Sequence, residues 1–549
     1  MPRTEATPPD INTLETRRLA EQARLDGLRG AAERNKLGQF ATPPALALAI
    51  AEHARRLREG RGHRDPVRFL DPALGSGAFF EALRRAFLGG SIAEASGIEI
   101  DPAFASVGSR LWGGSGLDVT VGDFTRLEPP SKPRANLILA NPPYVRHHHL
   151  NRDAKSHLAE AVHRRLGVKI NGLAGLYAYF LLLADAWLAE GGLAVWLVPS
   201  EFLDVNYGEA LRNYLASRVT LLHVHRFRPA DGQFGDALVT SAVVAFEKTP
   251  PPPSHRPRMS FGGPLDRPER AESVPLAALR ASKKWSGFPG DEVGPRPDFP
   301  PSGVTLGDLF AIRRGIVTGA NAFFILPLDE ALGRGIPRAF LRPILPSPRH
   351  LTEGVIEAGG DGYPRLSRPL ALVDCDRPED ELRRSAPGLA AYLDLGRGRG
   401  LDAGYLTSRR APWYAQERRE PAPFLCTYMA RPRTDAPPFR FFWNRSEATA
   451  PNVFLLLYPK PPLRCLLEAR PDLQAVLFER LRAIPARDLI GEGRVYGGGL
   501  HKIEPRELAA LPLDVWSDLD VPGLYSGSHS CRARRKGTGT RPEEGPPGS

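Results

Sequence analysis

The chain has 549 residues, 42% of them hydrophobic and 25% charged, with a formal net charge of +11. That composition fits a soluble globular protein of roughly three or four domains at about 150 residues each. No apolar run reaches the roughly 18 residues of a membrane helix and no apolar leader opens the chain, so the expected location is the cytoplasm. The four cysteines, Cys375, Cys426, Cys465 and Cys531, are scattered without metal-ligand spacing, which argues against a disulfide framework. The positive balance favours a polyanion such as nucleic acid, although the arginine bias of a GC-rich genome would produce the same excess.

Residues 11–34 form a charged, mostly helical pattern. It ends before Gly38-Gln39-Phe40-Ala41-Thr42-Pro43, where Thr42 is placed to cap a helix over 45–57. A short strand over 67–70 runs into Asp71-Pro72-Ala73-Leu74-Gly75-Ser76-Gly77-Ala78-Phe79, followed by a helix over 80–87. Gly75 and Gly77 let the backbone approach a ligand closely. The Walker Lys-Ser/Thr pair and the full dinucleotide fingerprint are missing. Asp71 suits a ligand with an ammonium group, which points to the amino-acid end of S-adenosylmethionine. A second strand over 96–100 carries Glu99, placed to accept from both ribose hydroxyls. A third, over 117–121, leads into Gly122-Asp123-Phe124, where Asp123 could accept from an adenine amino group with Phe124 as an apolar wall.

The apolar run 136–140 predicts a fourth strand, ending at Asn141-Pro142-Pro143-Tyr144. Two successive prolines cannot continue a sheet ladder, because neither has an N–H to donate. The Asn141 amide oxygen and the Pro142 carbonyl can accept both hydrogens of an exocyclic amino group while the base stacks on Tyr144. The acids at three strand ends and Asn141 at the fourth lie where open α/β sheets bind ligands.

In this order, Gln39-Phe40-Ala41-Thr42-Pro43, the Asp71–Gly77 turn, Gly97-Ile98-Glu99-Ile100-Asp101, Gly122-Asp123-Phe124 and Asn141-Pro142-Pro143-Tyr144 resemble the gamma-group, TaqI-like adenine-N6 DNA methyltransferases of restriction–modification systems. The resemblance is specific over 36–248 and looser to about 515. It implies an α/β fold: a Rossmann-like class I S-adenosylmethionine-dependent domain with a C-terminal mixed α+β target-recognition domain. It implies S-adenosylmethionine held by Thr42, Asp71, Ala73, Gly75 and Gly77, and by Glu99, Ile100, Asp123 and Phe124. The catalytic set is Asn141, Pro142, Pro143 and Tyr144, with an aromatic from the loop around 233–236 completing a stack on a flipped base. Phe234 is the candidate for that aromatic, with Phe227 the alternative. Cytosine-N4 methylation uses the same grip, usually with Ser in place of Asn, and stays open. Cytosine-C5 methylation needs a nucleophilic Cys, and none of the four lies in the catalytic half. Enzymes that methylate a glutamine amide share the tetrapeptide but resemble only the first half.

The run His147-His148-His149 cannot easily converge on one ion, so no metal is expected there, and a loop near DNA phosphates fits better. Residues 173–188 read as one long apolar helix and 191–198 as a fifth strand. A helix over 208–217 and strands over 219–225 and 240–246 complete a seven-strand pattern. The proline-rich stretch 249–303 reads as a semi-rigid spacer. The expected domains are thus a helical extension (1–35), a catalytic domain (36–248), the spacer, a DNA target-recognition domain (304–525) and a disordered tail (526–549). Segments 313–321, 423–432, 448–454 and 494–505 resemble recurrent pieces of such recognition domains. Arg313, Arg314, Arg409, Arg410, Arg431 and Arg433 are candidates for contacts to double-stranded DNA. No nuclease constellation is apparent, so a cognate endonuclease would be a separate chain.

Overall fold

The computed structural model describes residues 10–87, 91–131, 135–228, 240–290, 304–431, 437–496 and 500–513. The chain divides near residue 296 into two compact units. Among the described residues, no helix is long and apolar enough to cross a membrane.

The first unit opens with α1 (Ile11–Gly27), α2 (Ala31–Leu37) and α3 (Pro44–Gly60). Strands and helices then alternate: β1 (Val67–Asp71), α4 (Ala78–Ala86), β2 (Ile92–Glu99), α5 (Pro102–Trp112), β3 (Leu117–Val121) and β4 (Ala135–Ala140). The series continues through α6 (Arg152–Leu166), α7 (Leu176–Leu183), β5 (Leu188–Pro199), α8 (Glu209–Ser217), β6 (Thr220–Arg226) and β7 (Ser241–Glu247). The strand order is β3-β2-β1-β4-β5-β7-β6, continued by two further strands. All neighbours from β3 to β5 pair parallel, and β7 runs antiparallel between β5 and β6. This is the Rossmann-like class I methyltransferase arrangement that the sequence predicted.

The sheet is buried on both faces, and side chains alternate between them along each strand. Leu137 and Leu139 of β4 join Leu193, Val195 and Leu197 of β5 in one core, which includes Ala47 and Ile50 of α3. Ile138 and Ala140 join Ala194, Trp196 and Val198 in the other, with Tyr177 and Leu181 of α7 and Leu215 of α8. The long helix expected over 173–188 is shorter than predicted. It ends at Leu183, one 3-10 turn follows, and β5 begins at Leu188, with a register shift against β4 near Gly191-Gly192.

The spacer expected over 249–303 does not hold for residues 249–290. They contribute β8 (Arg258–Phe261), which pairs parallel with β6, then β9 (Arg270–Ser273) and α9 (Leu276–Ala281). Val274, Leu276, Leu279 and Trp285 are buried in the sheet's core. The prolines misled because they sit in the turns and leave short strands free to pair. The described part of the helical extension expected over 1–35, from residue 10 onward, is likewise part of this unit. Arg18 of α1 is 2% exposed and donates to Ser76 Oγ in the turn between β1 and α4.

In the second unit, β10 (Phe310–Arg314), β13 (Val355–Ile356), β15 (Phe424–Thr427), β17 (Phe441–Asn444) and β18 (Phe454–Pro459) form a sheet in the order β10-β18-β15-β17-β13. A smaller sheet holds β11 (Ile325–Pro327), β12 (Leu341–Ile344) and β14 (Leu370–Val373). This is mixed α+β structure. The four recurrent segments meet in pairs here. Ile316 N donates to Ala450 O, and Met429 pairs with Lys502. Gly315 permits the first contact, because a Cβ there would fall 2.2 Å from the Pro451 carbonyl. The expected tail, 526–549, lies outside the described residues.

Trp285 tests the corrected boundary. Its backbone N–H donates to Leu203 O, its indole N–H donates to Leu279 O, and it is 1% exposed. Trp285→Ala should lower the unfolding free energy in urea by about 3–5 kcal/mol. A solvated spacer would give a change within about 0.5 kcal/mol.

Candidate active site

The parallel pairing of β3, β2, β1 and β4 brings their carboxyl ends to one edge. Asp71 ends β1, Glu99 ends β2 opposite Val121 of β3, and Asn141 follows β4. Across this edge lies a strap, residues 38–43, between α2 and α3. Gly38 O accepts the Tyr144 backbone N–H at 3.0 Å. Gly38 has φ of +65°, and a Cβ there would sit 2.4 Å from Tyr144 N, so only glycine allows the approach.

The strap also sets the Asn141 side chain. Asn141 Nδ2 donates to Phe40 O at 3.0 Å and to Thr42 Oγ1 at 3.1 Å. Both amide hydrogens are thereby used, and Oδ1 is left buried with no partner among the described residues. An orphaned buried acceptor costs about 1–3 kcal/mol, so the site carries a standing demand for a donor. Thr42 is therefore not the expected cap. Pro43 occupies that position without a side-chain bond, and the Thr42 hydroxyl turns to Asn141 instead.

Tyr144 departs from expectation. Its ring is 6% exposed, tilted against Phe40 with centroids 5.6 Å apart, and its hydroxyl donates to Leu197 O. Burial holds the phenol well above its ordinary pKa. In this conformation it presents no open face to a base. Phe227 is also buried, packed edge-on against His225 at 4.5 Å. Phe234 lies outside the described residues. The histidine run forms a short 3-10 turn, His147–His149. Among the described residues, no group of three or more His, Cys, Asp or Glu could hold a metal ion.

At the other strand ends, Asp71 is 1% exposed and accepts one bond from Ala73 N. Burial pushes its carboxyl up to about 8, and the nearby Glu99 adds to the shift. Glu99 accepts from Gly75 N at 2.8 Å and from Asp101 N at 2.9 Å. Burial still holds it above its ordinary value against those amides. Gly75 has φ of +57° and open space where a Cβ would lie. Gly77 has φ of +91°, but a Cβ there would meet the Trp112 ring at 2.7 Å. Close packing against Trp112 thus also requires glycine at this position.

Phe124 also differs from its predicted place. It is 2% exposed and packs against Phe180 and Trp187, so it backs the site rather than walling it. Asp123 caps a 3-10 turn, accepting from Thr125 N and Thr125 Oγ1. Exposed apolar surface comes instead from Ile100, 65% exposed, and Val121, 57% exposed, beside each other at the ends of β2 and β3. Val121 was not singled out from sequence, where it reads as an ordinary strand residue. Arg18 and Gln22 of α1, both bonded to Ser76 Oγ, and Arg29 after α1, bonded to Asp101, were also missed, because a charged helical pattern does not announce which of its residues turn inward.

In the second unit the structure sorts the candidate arginines. Arg410 is committed to the carbonyls of Val317 and Thr318. Arg314 lies over the Tyr428 ring at 4.4 Å. Arg409 lies 3.8 Å over Tyr405, which is 74% exposed. Arg313 and Arg431 are exposed, and Arg433 lies outside the described residues.

Comparison with known proteins agrees with both units. Residues 128–233 match the family described as Eco57I restriction-modification methylase, and residues 301–522 match the C-terminal domain of type II methyltransferase M.Eco57I. The chain is 30% identical to type II methyltransferase M.XamI of Xanthomonas campestris pv. amaranthicola over 468 residues, 83% of this chain and 82% of that one. It is 24% identical to M.AccI of Acinetobacter calcoaceticus over 498 residues, 86% and 85% of the two chains. The solved type IIL restriction-modification enzyme MmeI aligns with 76% of this chain and 60% of its own, at 14% identity and a TM-score of 0.48. The chain belongs to the type II DNA methyltransferases of restriction–modification systems.

Proposed function

We propose that the protein transfers a methyl group from S-adenosylmethionine to the N6 amino group of adenine in double-stranded DNA, at a specific site, after the base has flipped out of the duplex. It would be the modification part of a restriction–modification system whose endonuclease is a separate chain. The observation that carries the reading is the Asn141 amide: both hydrogens are held by the strap, and the buried oxygen awaits a donor. An exocyclic amino group on a planar base supplies that donor.

The residues present suit the cofactor. Asp71 is a buried carboxyl without a cationic partner among the described residues, matched to an ammonium group. Glu99 suits ribose hydroxyls, and Gly75 leaves room for the ligand. Ile100 and Val121 offer apolar surface to a purine, with Asp123 beside them for its amino group. When bound, S-adenosylmethionine supplies a sulfonium methyl open to displacement. Asn141 Oδ1 and the Pro142 carbonyl accept the two amino hydrogens of the target. That draws the nitrogen towards tetrahedral geometry and localises its lone pair, a positional and electrostatic gain. The proton leaves as or after the new bond forms, so no strong base is required beforehand. Tyr144, with its ring turned out of its present contact with Phe40, and Phe234 would stack on the flipped base. Residues 304–525 would select the sequence, with exposed Arg313 and Arg409 among the DNA contacts.

Two measurements test this. DNA methylated by the pure protein should, on digestion to nucleosides, contain N6-methyladenine; N4-methylcytosine in its place would overturn the adenine assignment. On the same DNA, Asn141→Ala should slow single-turnover transfer by about 10²–10³-fold while DNA affinity stays nearly unchanged.

Asp71 gives a further expectation. With a pKa of about 8 in the free protein, it is protonated at pH 6.5. An ammonium group beside it favours the carboxylate, so cofactor binding at that pH should release close to one proton, and the release should fade as pH rises past 8. Calorimetry in buffers of different ionisation enthalpy reads this directly, and Asp71→Asn should abolish the release. Equal proton release in parent and variant would remove Asp71 from the site.

A further inference from the structure

The segment between α1 and α2 carries Arg29, whose guanidinium joins two turns of the active edge. Nη1 donates to Gln39 Oε1 at 2.8 Å, and Nη2 donates to Asp101 Oδ2 at 2.5 Å. Each acceptor is one step from a group already described. The Asp101 backbone N–H is one of the donors that hold Glu99, through Oε1 at 2.9 Å. Asp101 also caps α5 by accepting from Ala103 N, so its carboxylate is fixed from both sides. Gln39 sits in the strap between Gly38, which holds the Tyr144 backbone, and Phe40, which holds the Asn141 amide.

We infer that Arg29 is a positioning residue: it ties the turn that carries Glu99 to the strap that orients Asn141, so that a ligand on Glu99 is felt at the catalytic amide. The inference rests on the reading of Glu99 and Asn141 given above. A ligand whose hydroxyls donate to Glu99 competes with the amides of Gly75 and Asp101 for the same carboxylate oxygens. The Asp101 turn must answer any such change, and the planar guanidinium transmits it to Gln39 because its two donors are fixed in one fork. The Asp101 carboxyl reflects the link: burial works to raise it, yet the bonds from Arg29 and Ala103 outweigh burial and hold it below its ordinary value. An arginine that merely decorated a helix end would touch one partner on its own element. This one spans positions 29, 39 and 101 and is 30% exposed.

Hydrogen exchange on the full chain, with and without S-adenosylhomocysteine, tests the inference without DNA or turnover. In the parent protein the ligand should slow exchange over 71–77 and 99–103, and also at the Tyr144 amide bonded to Gly38. The effect at Tyr144 should be roughly 5- to 150-fold, the usual span of coupling between two sites. In Arg29→Ala the ligand should still protect 71–77, while the Tyr144 amide changes by less than about twofold. Arg29→Lys keeps the charge but cannot span two acceptors in one plane, so it should behave like the alanine variant. Gln39→Ala, which leaves the Arg29–Asp101 pair in place, should do the same and guards against a misfolded Arg29 variant. Unchanged ligand protection of Tyr144 in all three variants overturns the proposal and leaves the cofactor reading standing. Failure of S-adenosylhomocysteine to bind the parent protein overturns both.

Discussion

The site depends on the bond from the Asn141 side-chain nitrogen to the strap. An amide oxygen at a strand end is an ordinary feature, and left free it would bond water or turn over. Here both hydrogens of the amide are held, by Phe40 O and Thr42 Oγ1. That fixes which end of the side chain faces outward as an acceptor. The double proline behind Asn141 removes the backbone donors that would otherwise satisfy nearby acceptors. Gly38 lets the strap lie close enough to do this. A strap, a strand end and an unmet acceptor therefore act as one unit, and the fold keeps an unsatisfied oxygen in place at a cost in stability that a substrate donor would relieve.

The neighbouring strand ends follow the same logic with charge in place of amides. Asp71 is buried and Glu99 half-buried at the ends of adjacent strands, and loss of solvent raises both carboxyls. Backbone amides of the turns, Ala73, Gly75 and Asp101, partly compensate. Such an arrangement is poor for the empty protein and suited to a cationic, hydroxyl-bearing ligand. The N-terminal segment completes it: Arg18 and Gln22 of α1 hold Ser76 of the glycine-rich turn, and Arg29, between α1 and α2, holds the turn after β2.

Much of this edge was legible in the sequence because strand-ending chemistry is local. An apolar run followed by Asn-Pro-Pro-Tyr or by Asp-Pro-Ala-Leu-Gly has few structural readings. Contacts made across the fold were not legible. Gly77 looked like a ligand glycine, but what crowds it is Trp112, 35 positions away in sequence. Thr42 looked like a cap, and its hydroxyl serves Asn141 instead. Phe124 and Tyr144 carried the right chemistry, but nothing local says whether an aromatic ring faces a core or a cleft. Strands β8 and β9 hid among prolines because each has only four residues, too few for alternation to stand out.

The most direct measurement is the atomic structure of the protein with a duplex substrate and an inert cofactor analogue, at a resolution that distinguishes amide nitrogen from oxygen. The account predicts an exocyclic amino nitrogen about 2.7–3.2 Å from Asn141 Oδ1, with Nδ2 still on Phe40 and Thr42 and the base outside the helical stack. An Asn141 amide turned so that its nitrogen faces the base, or an oxygen of the base at that position, would contradict it.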